Sequence, residues 1–533
     1  MASVTGRTLT LGGTSYPLVL PNTRDPRLHV AAVIITVHVL GQVGLHFQVS
    51  VPQILAAMLT CAVLEVVITF RQSRTFVWPA SAMLTGSGVA LILRVVGTPA
   101  DDPWNTEAWY VFAIVAGLSL LSKYVIRYRG SHVFNPSNIG LVVAFIVLGT
   151  SRVEPLDFWW APMNAWMLAA YAVIITGGLL ITRRLKLLEM AATFWITLAA
   201  CVGILATSGH CMTARWAFAP VCGGDFWRVI VISPEVLIFL FFMITDPKTV
   251  PAGRVGRIVF GFLVAVASTL LMAPQTDEFG TKVGLLAGLV VLCAVRPLLD
   301  RVLPEPRSAE DDIGRIAARL ATGRSAGAGV ARGAARVGLI AIAVLVIVAG
   351  IVAAGTPARG VIVPVAADVL DRVPHAVDPA TFPAITVDVA AWDDTISGPI
   401  AEEILVKLAE DLELENQALL RHDATILTAV DHGDRLKEMQ GRLQDAATSG
   451  RTVIARYRFD AVHVVLIAPF GVQTGGSLGF DSRGTVTEET YDSTGALLER
   501  RTSPFASTFA VRRPTGDRWL IVAVLPPQAG ARP

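Results

Sequence analysis

Residues 122–143 read SKYVIRYRGSHVFNPSNIGLVV. The first half is basic, with Lys123, Arg127 and Arg129, and the second half turns apolar at Asn135-Pro136 and stays so. Proline suits the first position of a helix, where its missing N–H would have no intrahelical partner anyway. Ser137 and Asn138 then fall in the first turn. A charged loop that gives way through a proline-started helix to an apolar run is the junction between water and a bilayer span.

A hydrocarbon core of about 30 Å needs about 20 mostly apolar residues as a helix. Runs of that kind start near Leu28, Val51, Val77, Ala108, Pro136, Asn164, Leu187, Val229, Ile258, Thr281 and Val337, eleven in all. Over 533 residues, 53% are apolar and 16% charged, where soluble domains carry roughly 25% charged residues. The mean hydropathy is +0.58. These values exclude a cytosolic globular enzyme and a disordered chain. With 44 basic and 42 acidic residues, the whole chain has no nucleic-acid footprint. Five cysteines exclude a disulfide scaffold.

Loop charges give the orientation. Cytoplasmic loops are rich in Lys and Arg, and every second connection here is basic: Arg71 and Arg74, then Lys123 to Arg129, Arg183 to Lys186, Lys248 to Arg257, and Arg296 to Arg307. The others are neutral or acidic, as at Asp101-Asp102 and Asp277-Glu278. The expected protein is a multi-pass protein of the cell membrane with five parts. Residues 1–27 form a cytoplasmic segment, too polar for a signal peptide. Residues 28–303 form ten membrane helices. Residues 304–336 form a basic Ala/Gly/Arg cytoplasmic linker, read as a tether, with an anionic-lipid site as the sharper alternative. Residues 337–356 form an eleventh transmembrane helix, and residues 357–533 an extracytoplasmic α+β domain.

Polar groups at membrane depth are costly and tend to be functional. Glu65 and Glu235 sit inside apolar runs. Arg94 and Asp246 lie nearer to ends, where snorkelling is the simpler explanation, and His38 reads as a helix-packing residue. Two segments look like broken helices: WPASAMLTGSGVALILR, interrupted by Gly86 and Gly88 beside Thr85, and HVFNPSNIGLVVAF, started at Asn135-Pro136. Ser233-Pro234 repeats the theme before VLIFLFFMITDPK. Such breaks leave free backbone groups that suit a ligand site between repeats. The candidate ligand-binding set is therefore Thr85, Gly86, Gly88, Asn135, Pro136, Ser137, Asn138, Glu235, Thr245, Asp246 and Lys248, with the three interruptions converging on one pocket. Cys61, Cys201 and Cys293 read as packing residues. Cys211 and Cys222 share one outer loop, and their separation of eleven on the oxidising face permits a disulfide. Only His210 accompanies them, so no metal site is expected.

Three stretches, LTGSGVALIL, residues 122–143 and FFMITDPKTVPAGRVGRIVFG (residues 241–261), resemble in order and spacing the RnfD and NqrB subunits of ion-pumping electron-transport complexes. The wording SPEVLIFLFFMITDPKT resembles the UnbU branch, whose actinobacterial members lie beside enediyne-type biosynthetic genes. The resemblance covers about residues 25 to 305. It implies ten helices in two five-helix repeats, other protein subunits or a redox partner, and a flavin or quinone. Those subunits carry flavin on a threonine in a Gly-Ala-Thr motif. That motif is missing between the fifth and eighth spans here, and Thr213 in the outer loop lacks its surroundings. Covalent flavin is thus expected to be absent, and FMN, riboflavin or quinone would bind non-covalently.

Beyond Gly355 the composition becomes that of a soluble domain. Val361 to Asp394 is Pro-rich, Ile400 to Ala447 has helical spacing, and TVIARYRFDAVHVVLIA alternates like a strand. Turns are expected at Ser493 to Gly495 and at Pro514 to Asp517. Helices followed by an antiparallel sheet resemble, by pattern, the nuclear-transport-factor-two-like fold. His422, His432 and His463 read as surface or packing residues. The functional expectation is a membrane redox subunit; a small-solute permease and a membrane anchor for the outer domain are the alternatives.

Overall fold

The computed structural model describes residues 4–527 except 12, 23–24, 97, 99–101, 151, 161–162, 215–216, 307, 309–310, 313, 315–329, 360–372, 375, 379–380, 388–397, 468–476 and 513–518. The linker expected over 304–336 lies largely outside the described residues, as do much of the Pro-rich stretch and the turn at Pro514 to Asp517. The chain divides into two compact units. One holds Met1–Gly149, Val153–Met212 and Val221–Val361; the other holds Thr150–Arg152, Thr213–Pro220 and Ile362–Pro533.

Among the described residues, seven helices of the first unit are long and apolar enough to cross a membrane, and the chain is a polytopic helical membrane protein. They are α1 (Pro26–Val43), α2 (Val51–Ser73), α6 (Ala165–Arg184), α7 (Leu188–Thr207), the broken segment Gly223–Met243, α10 (Arg254–Met272) and α11 (Glu278–Val302). Shorter apolar helices are α3 (Ala80–Ile92), α4 (Trp109–Val125), α5 (Pro136–Leu148) and the apolar end, Ala341–Ala354, of α12 (Val330–Ala354). Cys211 and Cys222 are joined by a disulfide, with Cα atoms 4.3 Å apart, at the ends of the paired strands β8 (Cys211–Ala214) and β9 (Ala217–Cys222).

The expected break in the third span does not occur. Helix α3 runs unbroken through Gly86 and Gly88. A Cβ on Gly86 would run into the Ala57 carbonyl, and one on Gly88 would sit 3.0 Å from Ser137 Oγ. The glycines let α3 approach α2 and α5 closely, as small residues do between membrane helices. The eighth span is broken. Helix α8 (Gly223–Val231) stops at Ile232, and α9 (Pro234–Ile238) restarts with Ser233 capping Val236 N–H at 3.3 Å. It continues as a π-turn over Phe239–Met243. The carbonyls freed at the break are taken by donors from neighbouring helices. Tyr171 Oη donates to Ile232 O at 2.7 Å and Trp195 Nε1 to Val231 O at 3.0 Å. Hydrocarbon could satisfy neither.

Arg94 does not snorkel. It is 1% exposed and ion-paired to Glu154 at 2.5 Å, where β4 (Leu93–Val95) pairs with β7 (Val153–Pro155). The polar N-terminal segment is a hairpin, β1 (Val4–Leu11) and β2 (Thr14–Leu20), joined by β3 (Phe76–Val77) into a three-stranded sheet. Tyr16 meets Phe70 and Phe76 edge-on, and the two phenylalanine rings lie tilted 4.7 Å apart.

Among the described residues the second unit carries three helices, which follow the first strand of a sheet and precede its other four. The helical spacing read over Ile400 to Ala447 splits into α13 (Gly398–Arg421), α14 (Ala424–Val430) and α15 (Gly433–Ser449). The chain turns through positive φ at His422 and Gly433. The sheet has order β10-β11-β12-β13-β14, with β10 (Ile385–Val387) parallel to β11 (Arg451–Ile467) and the rest antiparallel. Strands β12 (Ser477–Asp492) and β13 (Leu497–Arg512) meet at a turn in which Asp492 accepts from Thr494 N–H at 2.8 Å. Strand β14 is Leu520–Leu525. Leu405, Leu408 and Leu412 of α13 pack on Phe459, Phe480 and Phe509 of the sheet, burying the apolar face of each layer.

Candidate functional site

Helix α5 starts where its residues dictate. Asn135 Oδ1 accepts from Asn138 N–H and from Ser137 Oγ, both at 3.2 Å, with Pro136 at the first helical position. The other end of the same amide donates to Met243 O at 3.1 Å. One side chain thus caps α5 and holds it against the π-turn of the eighth span. The carbonyl of Met243 needs such an outside donor because the helical segment ends there, and the residue four further on, Pro247, has no N–H.

These two segments wall a cavity of about 810 Å³ within the first unit. Thr85 and Gly88 line it from α3, and Asn135, Pro136 and Ser137 from the start of α5. Thr245, Asp246 and Lys248 line it from the loop after the π-turn. An apolar wall comes from Val30, Ile34, Ile238, Phe241 and Phe242. The remaining three expected residues lie elsewhere. Gly86 faces α2. Asn138 donates Nδ2 to Leu286 O of α11 at 3.0 Å. Glu235 has both carboxyl oxygens buried, with no hydrogen-bond partner among the described residues; the charges acting on it are Lys282, Asp157 and Glu278. Of the three supposed interruptions, therefore, only Pro136 lines the cavity as a helix break. Gly88 lines it from an intact helix, and Pro234 is not among the lining residues.

The polar rim contains groups that sequence reading missed. Lys123 lines the cavity and pairs with Glu65 at 3.0 Å, while donating to Ser81 Oγ at 3.2 Å. Arg27 pairs with Asp25 at 2.6 Å at the start of α1. His132 of β6 (Ser131–His132) lies 2.9 Å from Asp246 Oδ2. His38 Nε2 meets Ser87 Oγ at 3.1 Å, as a packing histidine would. The sequence marked Glu65, Asp246, Lys248 and the basic loop singly; pairings 58 and 114 residues apart leave no mark on local spacing. A cavity of this size, apolar along one wall and lined with paired charges along another, suits a small molecule with both apolar and polar parts.

No protein-family model matches the chain. Among curated proteins it is similar to the D component of the ion-translocating oxidoreductase complex of Citrobacter koseri, at 26% identity over 253 residues, 36% of this chain and 68% of that protein. The protein of the same name from Salmonella arizonae is 24% identical over 250 residues, with the same shares covered.

Proposed function

We propose that the chain is a membrane subunit of an electron-transport system akin to the ion-translocating oxidoreductase complexes, and that its cavity holds a flavin or a quinone non-covalently. One observation carries this reading. The stretches 122–143 and 241–261, distant in sequence and both resembling RnfD and NqrB, supply adjoining walls of one cavity, tied by Asn135 to Met243. The cavity, at about 810 Å³, falls within the size range of cofactor sites, about 300–1,000 Å³. The apolar wall would take the ring face, and Asn135, Ser137 and Lys248 would meet its polar edge.

Several finer points belong to this proposal. The first unit would use ten helices as spans, the shorter α3, α4 and α5 included. Other subunits in the bilayer would be its partners. The UnbU placement, with a role beside enediyne-type biosynthesis in an actinobacterium, rests on the wording of residues 233–249. The second unit would be a nuclear-transport-factor-two-like domain on the outer face. The missing Gly-Ala-Thr motif argues against a covalent flavin, and in-gel fluorescence of the denatured protein decides that point: a bright band would overturn it. A permease is the second reading, favoured by the broken segment α8–α9.

The absorption spectrum of the purified protein separates the two. A flavin spectrum, or a quinone in the solvent extract, supports the redox reading. A protein without either that moves solute across vesicles supports the permease.

A further inference from the structure

His132 is 8% exposed, and its Nε2 lies 2.9 Å from Asp246 Oδ2. The other carboxylate oxygen, Asp246 Oδ1, accepts the backbone N–H of Lys248 at 3.0 Å. The backbone thus fixes the carboxylate and the carboxylate fixes the imidazole. With Nε2–H donated to Asp246, Nδ1 is left as the basic nitrogen. Among the described residues it accepts no hydrogen bond.

The other charges lining the cavity are matched in pairs, Lys123 with Glu65 and Arg27 with Asp25. Arg127, opposite His132 in its two-stranded hairpin, is exposed and donates to Gly130 O, and Arg296, which donates to Lys248 O, faces Asp300 at 3.7 Å. Lys248 is at the exposed rim. Ammonium and guanidinium groups keep their protons near neutral pH. Imidazole is the side-chain type on this wall whose ordinary chemistry exchanges a proton there.

We propose that His132 takes up a proton when a flavin in the cavity is reduced, with Asp246 as its positioning residue. This rests on the flavin reading of the cavity. When bound, the flavin would supply two-electron chemistry, taking its electrons from a redox partner protein and one proton from water. His132 Nδ1 would take a second proton from water, balancing the negative charge left by the reduction, and Asp246 would hold the resulting imidazolium. On reoxidation the two electrons would leave to an acceptor and both protons would return to water. No bond to the protein forms or breaks.

The test uses the full-length protein in lipid nanodiscs, loaded with riboflavin. The midpoint potential of the bound flavin is followed by spectroelectrochemistry from neutral to alkaline pH, where a reduced flavin carries no proton at its own N1. One proton per two-electron reduction corresponds to about 30 mV per pH unit. Wild type should fall by about 60 mV per pH unit at the neutral end of this range, and His132→Gln by about 30 mV, as expected for two protons and one. Asp246→Asn should still bind riboflavin, with a pH profile that differs from wild type because the imidazole has lost the carboxylate that positions it.

Riboflavin bound to His132→Gln with the wild-type slope contradicts the proposal alone. Wild-type protein that takes up no riboflavin contradicts both the proposal and the flavin reading. If His132→Gln binds nothing, an Asp246→Asn profile identical to wild type still contradicts the proposal, and a different one supports it.

Discussion

Arg94 and Glu154, sixty residues apart, form an ion pair at 2.5 Å with 1% and 6% of their side chains exposed. The pair sits where the short strands β4 and β7 cross-link the ends of helices that the sequence shows only as separate apolar runs. Removing one partner strands a buried charge, which typically costs about 3–5 kcal/mol. Glu154→Ala should therefore lower the thermal midpoint of the detergent-solubilised protein sharply, while Arg94→Leu with Glu154→Leu should recover much of the loss. A single variant that melts like wild type would show that the pair contributes little.

Gly86 tests the packing account of the third span. Its missing Cβ leaves room for the Ala57 carbonyl, backbone that cannot swing aside. Gly86→Val should destabilise the protein by about 1–3 kcal/mol, as overpacking does. A Cβ on Gly88 would meet no backbone, only Ser137 Oγ at 3.0 Å and Ser137 Cβ at 3.3 Å, so Gly88→Ala should cost less than Gly86→Val. Size-exclusion profiles after graded heating would compare them. Equal tolerance of both variants would contradict close α2–α3 contact.

Two buried groups outside the spans should respond to pH in opposite directions. His210 is fully buried against Phe226, and burial lowers its imidazole to about 4. The unfolded chain takes up the proton first, so stability around this loop should fall as pH drops from about 6.5 towards about 4. His210→Phe should remove that loss.

Asp431 is 1% exposed beside Glu415, and burial, reinforced by that neighbour, holds its carboxyl well above the usual range. The folded form keeps the proton that the unfolded chain gives up. Stability around α14 should thus be greatest at acid pH and decline as pH rises through the folded value. Asp431→Asn should flatten the decline. Amide hydrogen exchange on the full-length protein, read at 205–230 and 424–450, resolves the two regions. Matching profiles in variant and wild type would contradict either assignment.

The alternation of basic loops predicts that the C-terminus is outside. A reporter fused after Pro533 that is active only in the cytoplasm would overturn that orientation.

The apolar runs were legible because a bilayer demands length and hydrophobicity together, and neither depends on partners. The capped start of α5 was legible too, since Asn135 and Pro136 act within one turn. Gly86 and Gly88 were misread because the same residue marks a broken helix and a close helix contact. The N-terminal hairpin carried its own signal, alternation on both sides of Gly12-Gly13, yet its polar composition masked it. The pairings on the cavity rim were beyond reading: His132 with Asp246 and Lys123 with Glu65 are made by tertiary packing, which local spacing does not encode. In the second unit the change of period marked helices and sheet, but the turn at His422 was hidden inside a continuing helical pattern.

The central claim is that the cavity holds a redox carrier. Leu84 lines that cavity, and Leu84→Trp would fill part of it without touching the paired charges. Wild type and variant, purified from the same host membranes, would be extracted with solvent and their flavin and quinone quantified against protein. The account predicts a stoichiometric flavin or quinone in wild type, and its loss from a Leu84→Trp protein that still inserts and purifies as a stable particle. Wild type containing neither carrier, or a variant that retains the full amount, would contradict it.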